Sequence, residues 1–257
     1  MIPEFFHIGP FPIRSYGVMI AFSFALGIWL AVRRGTRRGM DGALLTDLSI
    51  AILVSSIVGA RVLYILPYWD EFAANPARIF AIWQGGLTMY GGLLGAVAAS
   101  VLFMRAKKMP FWEVSDVVAP SVALGLAVTR IGCFLNGCCF GLPTHLAWGV
   151  RFPPHSAAGA EFYGVPIHPA QLYDSLVGFC LFGILLAAEG RLRGKGRLFI
   201  LFVGLYGLSR FFMDRVRFYE NVSAGSLGGI VLTWNQWLSV FLFAGAAVLF
   251  VLRGRKT

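Results

Sequence analysis

Charge is scarce in this 257-residue chain: 13% of residues are Asp, Glu, Lys or Arg and 58% are hydrophobic. A soluble domain is about a quarter charged, so the shortage excludes one. Seven membrane-spanning helices of about 20 residues would use about 140 residues, and the remainder is too short for a separate soluble domain beyond loops and tails. Alternating polar and apolar stretches are missing as well, which excludes a membrane β-barrel. There is no internal repeat and no low-complexity tract. No basic stretch precedes the first apolar run, so the first 15 residues are not expected to be a cleaved signal peptide. Acids are rarer than bases, 12 against 22, and the net charge is +10.

What is present is a series of long apolar runs, at about 16–32, 48–66, 85–104, 117–135, 171–188, 198–213 and 230–252. They predict an all-α integral membrane protein of about seven transmembrane helices, forming a single polytopic domain over 1–257. Basic clusters fall at every second connection: Arg33, Arg34, Arg37 and Arg38; Arg105, Lys107 and Lys108; Arg191, Arg193, Lys195 and Arg197; Arg253, Arg255 and Lys256. Because positive loops stay in the cytoplasm, these connections and the C-terminus are expected inside and the N-terminus outside. An odd number of spans agrees. The clusters hold every lysine, so the positive balance records topology and not a nucleic-acid partner. Two outer segments follow, about 67–84 and 136–170, the second long enough to imply a role.

Eight arginines remain: Arg14, Arg61, Arg78, Arg130, Arg151, Arg210, Arg215 and Arg217. Arg61, Arg130 and Arg210 lie within apolar runs, where a guanidinium costs several kcal/mol unless it faces a polar cavity or a partner. Each is 12 or 13 residues from the inner start of its run, roughly 18–20 Å into a core about 30 Å thick. For Arg61 an outward-reaching structural role and a functional one weigh equally. Asp174 and Asp214 are the only acids near the level of Arg130 and Arg210, so the pair reads as an under-neutralised pocket suited to phosphate, which guanidinium grips bidentately. Tyr206, Arg210, Asp214 and Arg217 recur at helical spacing and would share one face. A helix end emerging into water is the plainer reading for Arg215 and Arg217.

Tyr16 opens the first run, where a tyrosine serves as an interfacial anchor. Tyr90 is followed by Gly91 and Gly95, whose spacing lets helices approach closely and leaves room beside the hydroxyl. Cys133, Cys138 and Cys139 cluster where the fourth run meets the outer loop. Their spacing matches no zinc pattern, one disulfide is the most they can form, and at least two are expected to be buried as small hydrophobes. Nor do His7, His145, His155 and His168 suggest a metal site, so neither metal nor cofactor is expected. In His168-Pro169-Ala170-Gln171-Leu172-Tyr173-Asp174 the proline would start a helix with Gln171 and Asp174 at its outer edge.

Thr129-Arg130-Ile131-Gly132-Cys133-Phe134-Leu135-Asn136-Gly137 resembles the G-R-I-G-N-F-x-N-G signature of the bacterial prolipoprotein diacylglyceryl transferases. Arg14-Ser15-Tyr16-Gly17, Gly91-Gly92-Leu93-Leu94-Gly95, His168 to Tyr173 and Tyr206-Gly207-Leu208-Ser209-Arg210 add to the resemblance, which extends over nearly the whole chain. The chain departs from the family at four places. Tyr90 stands where the family often has His, Cys133 at an Asn-type position, Cys138 where Glu follows Asn-Gly, and Asp214 where Glu follows the second arginine.

The resemblance implies a multi-pass enzyme of the bacterial inner membrane. Such an enzyme moves the diacylglyceryl group of phosphatidylglycerol to the lipobox cysteine of a preprolipoprotein, leaving a thioether and glycerol 1-phosphate. Arg130, Arg210, Asn136, Tyr206 and Asp214 would bind the lipid, and Tyr90, Arg210 and Tyr16 would be the catalytic candidates. Two other readings stay open on the residues: a transporter or flippase for an anionic lipid, and a divergent paralogue with another donor or acceptor.

Overall fold

A backbone surrounded by hydrocarbon satisfies its N–H and C=O groups only internally, so long apolar runs become helices. The computed structural model describes residues 4–8, 11–192, 196–219, 226–227 and 230–254. Arg193, Lys195, Arg255 and Lys256 of the expected cytoplasmic clusters lie outside the described residues. In chain order the elements are strands β1 (Glu4–Ile8) and β2 (Phe11–Arg14), then helices α1 (Ser15–Thr36), α2 (Gly42–Ile65), α3 (Trp69–Ala74), α4 (Met89–Ala106), α5 (Phe111–Asn136), α6 (Ala157–Glu161), α7 (Ala170–Glu189) and α8 (Arg197–Met213), strands β3 (Ser226–Leu227) and β4 (Ile230–Val231), and helix α9 (Trp234–Gly254). β1 pairs with β2 and β3 with β4, both antiparallel.

The chain is an all-α integral membrane protein apart from these short hairpins. Among the described residues six helical segments are long and apolar enough to cross a membrane, and α8, with 17 residues, is slightly shorter. The helices outrun the apolar runs where polar residues can still be accommodated. α2 begins at Gly42 behind an Asp41 cap whose Oδ1 accepts from Ala43 N at 2.8 Å. α9 starts four residues later than its apolar run, because Thr233 and Gln236 form a reciprocal capping box, Thr233 N to Gln236 Oε1 and Gln236 N to Thr233 Oγ1, both 3.1 Å.

The chain divides into two compact units, Val32–Val114 and the combination of Met1–Ala31 with Ser115–Thr257. In the first, α2 and α4 touch backbone to backbone. A Cβ on Gly91 would run into Gly59 O, and one on Gly95 into Ser55 O. This is the close approach that the small residues around Tyr90 predict.

In the second unit α5 carries the others. Met19 of α1 sits where a Cβ on Gly132 would be, 2.7 Å away, and Ser23 Oγ donates to Gly125 O at 2.8 Å. Gly178 lets α7 lie against Ala127, where Ser175 Oγ donates to Ala127 O at 2.9 Å. The core between them holds Ala119, Ala123, Leu181, Leu185, Leu198 and Phe202. α8 is anchored at its N-terminus by the fully buried carboxylate of Asp116, which accepts from Gly196 N at 3.1 Å and Phe199 N at 2.9 Å. A carboxylate there satisfies orphan N–H groups and suits the positive end of the helix.

The segment between α5 and α7 is ordered by its own small core of Phe152, Ala158 and Ile167. Bridges pair Pro143 and Val150 with Ile167, and Gly141 with Arg217.

Candidate functional site

The packing of α7 on α5 sets two opposite charges side by side. Asp174, one residue before the Ser175 contact, holds Arg130 Nε through its Oδ2 at 3.2 Å, and the same oxygen lies 3.9 Å from Arg210 Nη1. One carboxylate thus faces both signature arginines. Arg210 has a second anchor in Asp214, Nη2 to Oδ1 at 2.8 Å. Tyr219 closes that pair into a triangle: its hydroxyl accepts from Arg210 Nη2 and donates to Asp214 Oδ1 at 2.7 Å. The other oxygen of Asp214 accepts from Thr233 Oγ1 at 2.7 Å, so the capping residue of α9 also fixes the acid of α8. Asp214 is fully buried at its side chain.

These groups border a narrow cleft lined by Arg130, Asp174, Tyr206 and Arg210 on its polar side and Leu126 and Leu181 on its apolar side. Tyr206 stacks on Phe202, 6.0 Å between ring centres. Arg210 Nη1 is buried and makes no hydrogen bond among the described residues. A buried donor without an acceptor costs about 1–3 kcal/mol, so Nη1 is an unsatisfied donor at the edge of the cleft.

The expected face on the sixth run does not continue as far as Arg217. α8 ends at Met213, and turns over 214–216 carry the chain on. Arg217 instead pairs with Gly141 of the segment between α5 and α7 and stacks over Tyr219 at 5.3 Å. It returns to the site by tertiary pairing and not by helical spacing, and the reading of Arg217 as a residue emerging into water is corrected. The pocket is also better neutralised than the run of apolar sequence implied, since Asp174 and Asp214 match Arg130 and Arg210 charge for charge.

Arg61 belongs to a different kind of site. Its Nε donates to Ile79 O at 3.0 Å, Nη1 to Gly85 O at 2.7 Å and Gly86 O at 2.9 Å, and Nη2 to Arg78 O at 2.6 Å. Tyr64 and Phe72 cover it at 5.8 and 5.2 Å. Buried and hydrogen-bonded to four backbone carbonyls, Arg61 organises the segment 76–86, which decides between its two roles in favour of structure.

Tyr16 is in the first turn of α1, with its ring 3.6 Å from where a Cβ on Gly132 would be, so it lies over the signature stretch. Asn136 ends α5, half-buried. Tyr90 is in the first turn of α4, in the unit Val32–Val114, and is 52% exposed. His168 and Trp148 both meet the Tyr173 hydroxyl, at 3.4 and 2.7 Å, and the fully buried Gln171 donates to Cys138 O at 2.8 Å. The His-Pro-Ala-Gln-Leu-Tyr-Asp segment is therefore one support of the site. Of the three neighbouring cysteines only Cys133 is buried, and Cys138 and Cys139 are half-buried, so the expectation of at least two buried thiols fails. Their position beside arginines, in an ordered polar turn, keeps them from packing as hydrophobes.

Sequence reasoning misses Asp116, Thr233 and Tyr219. Thr233-Trp234-Asn235-Gln236 carries a capping signature that could have revealed the second, and it moves the start of α9 to the site. Tyr219 has no comparable local signal.

Residues 3–252 match the family model for prolipoprotein diacylglyceryl transferase. The chain is similar to the phosphatidylglycerol–prolipoprotein diacylglyceryl transferase of Trichormus variabilis, 38% identical over 225 residues, covering 84% of this chain and 78% of that protein. It is 34% identical to the protein of the same name from Bordetella avium over 261 residues, 99% and 96% of the two chains. It is also 34% identical to phosphatidylglycerol–prolipoprotein diacylglyceryl transferase 2 of Clostridium perfringens, over 95% of this chain and 93% of the relative.

Proposed function

The chain belongs to the prolipoprotein diacylglyceryl transferase family, and from that premise we propose that it transfers the diacylglyceryl group of phosphatidylglycerol to the lipobox cysteine of a preprolipoprotein. The observation that carries the reading is the meeting of Arg130 and Arg210 on Asp174 at a cleft with apolar and polar walls. The sulfur of the incoming cysteine attacks the glyceryl carbon next to the phosphate ester. The carbon–oxygen bond breaks, a thioether forms, and the electron pair leaves with glycerol 1-phosphate. Negative charge grows on the phosphate as that bond breaks. Arg130 and Arg210, which both line the cleft, stabilise it.

Asp174 and the Asp214–Tyr219–Thr233 group hold the guanidiniums in place, which removes the cost of orienting them during reaction. Tyr206 completes the polar lining, Tyr16 covers the signature helix, and Asn136, at the end of that helix, is the lipid-binding candidate that the family resemblance adds. The thiol proton needs an acceptor. Tyr90 is the residue the family pattern points to, and a tyrosine serves as a base only in its phenolate form. Tyr90→Phe with wild-type turnover at every pH would remove it from that role.

The enzyme acts in the bacterial inner membrane with its N-terminus outside, a reading supported by the basic clusters at alternate connections. The test is a lipobox peptide incubated with the purified chain and phosphatidylglycerol vesicles. A diacylglyceryl mass shift with release of glycerol phosphate is expected. Movement of phosphatidylglycerol across the bilayer with an unmodified peptide would instead identify a transporter.

A further inference from the structure

Cys133, Cys138 and Cys139 have sequence spacing that matches no metal motif, yet their three Sγ atoms all lie within 4.8 Å of one another. All three are free thiols. A metal bound to three sulfurs in a plane, with bonds of about 2.3 Å, needs sulfurs about 4 Å apart, so the cluster is already near that geometry.

The turn that carries them is held from several sides. Gly137 and Cys139 both adopt positive φ, 72° and 58°, which is uncommon for a cysteine. Cys138 N donates to Cys133 O at 3.1 Å and Ala158 N to Gly137 O at 3.0 Å, and Gln171, fully buried, grips Cys138 O at 2.8 Å. The arrangement is therefore built into the fold before any ligand arrives. Arg130 and Arg217 lie within electrostatic reach of Cys139.

We propose that Cys133, Cys138 and Cys139 form a three-thiolate site for a soft closed-shell cation, copper(I) in preference to zinc(II). The cluster found among the described residues contains no His, Asp or Glu. Structural zinc takes four protein ligands in a tetrahedron, whereas an all-thiolate trigonal set suits copper(I). Binding forms three metal–sulfur bonds and releases three thiol protons to solvent, with no change of oxidation state. The complex carries two negative charges, and the guanidiniums of Arg217 and of the Asp174-paired Arg130 lie nearby. The site adjoins the cleft and shares Arg130 with it; its metal binding follows from the sulfur geometry whether or not transfer occurs.

The test is a titration of the full chain in detergent micelles, reduced and under argon, with copper(I) alone against a chromogenic copper(I) chelator. One copper(I) per chain is expected, with three sulfur neighbours at about 2.3 Å by X-ray absorption. Cys138→Ser and Cys139→Ser should each weaken binding by about a hundredfold or more, while Cys180→Ser leaves it unchanged. These two half-buried positions keep the test valid if Cys133→Ser does not fold. Stoichiometric copper in both serine variants would overturn the proposal, as would no uptake by a wild-type chain with all four thiols titratable. Zinc(II) binding to the same three sulfurs with equal affinity would overturn the preference for copper(I).

Discussion

Arg61 and Arg210 occupy similar stretches of apolar sequence and are both largely buried, yet their surroundings differ in kind. Arg61 gives its donors to four backbone carbonyls under two aromatic rings. Arg210 is held by carboxylates and a tyrosine hydroxyl and keeps a buried Nη1 without a hydrogen bond beside a cleft. An arginine whose donors all end on fixed backbone is a structural clamp. One that is oriented by neighbours and left partly unsatisfied can take a ligand. Depth in the membrane does not separate the two cases, and donor saturation does.

The comparison can be broken most directly at the site. Arg130→Ala and Arg210→Ala should each lower transfer to a lipobox peptide by about 10²–10³-fold, as loss of an oxyanion-stabilising donor does. Their thermal unfolding in detergent should change little by comparison. Normal activity of either variant in phosphatidylglycerol vesicles would end the phosphate-pocket reading.

Arg61→Ala should act on stability. Four carbonyls lose their partner, at a cost on the order of 3 kcal/mol. A lower unfolding temperature and new protease cleavage within 76–86 are the expected signs. Unchanged protection of that segment would show that the clamp is not needed.

Asp174→Asn sharpens the difference further, because it keeps both arginines and loosens their placement. A loss of about tenfold in turnover is expected, equivalent to one hydrogen bond to a charged group. No change in turnover would mean that Asp174 does not set the geometry.

The smallest effect belongs to Tyr219. Burial pushes its hydroxyl up to about 12, with Arg210 and Arg217 pulling the other way. The folded state therefore prefers the protonated form, and this contribution is complete below about pH 10 and lost as pH rises through about 12. Tyr219→Phe should flatten the wild-type fall in stability over that window and reduce turnover only a few-fold. A wild-type curve already flat between those limits would contradict the burial of the hydroxyl.

Much of this architecture is legible in the amino-acid sequence. Apolar runs, alternating basic clusters and the isolated Arg130 and Arg210 are local features, and local features survive in a sequence. Asp174 is legible as well, because Pro169 and helical spacing place it. What escapes is non-local. Arg217 returns by pairing with Gly141, and Tyr219 and Thr233 reach Asp214 across a turn and a helix start. Asp116 sits 80 residues before the helix end it caps. The saturation of Arg61 depends on carbonyl directions in a segment with no regular periodicity, which residue types do not encode. Motif spacing likewise argues against the three-cysteine cluster, because spacing rules describe regular loops and this turn has two residues at positive φ.

The 17 residues of α8 have a consequence for the lipid around them. At 1.5 Å per residue the helix is about 25 Å long, some 5 Å short of a typical hydrocarbon core. It is fixed by Asp116 at one end and by the Arg210–Asp214–Tyr219 triangle at the other, so it cannot slide to share the deficit. A span this short is matched by thinning of the bilayer or by flanking polar side chains reaching outward. In a bilayer that thins beside α8, headgroups come closer to the level of Arg210, and a lipid has less far to travel to the guanidinium than it would beside a full-length span.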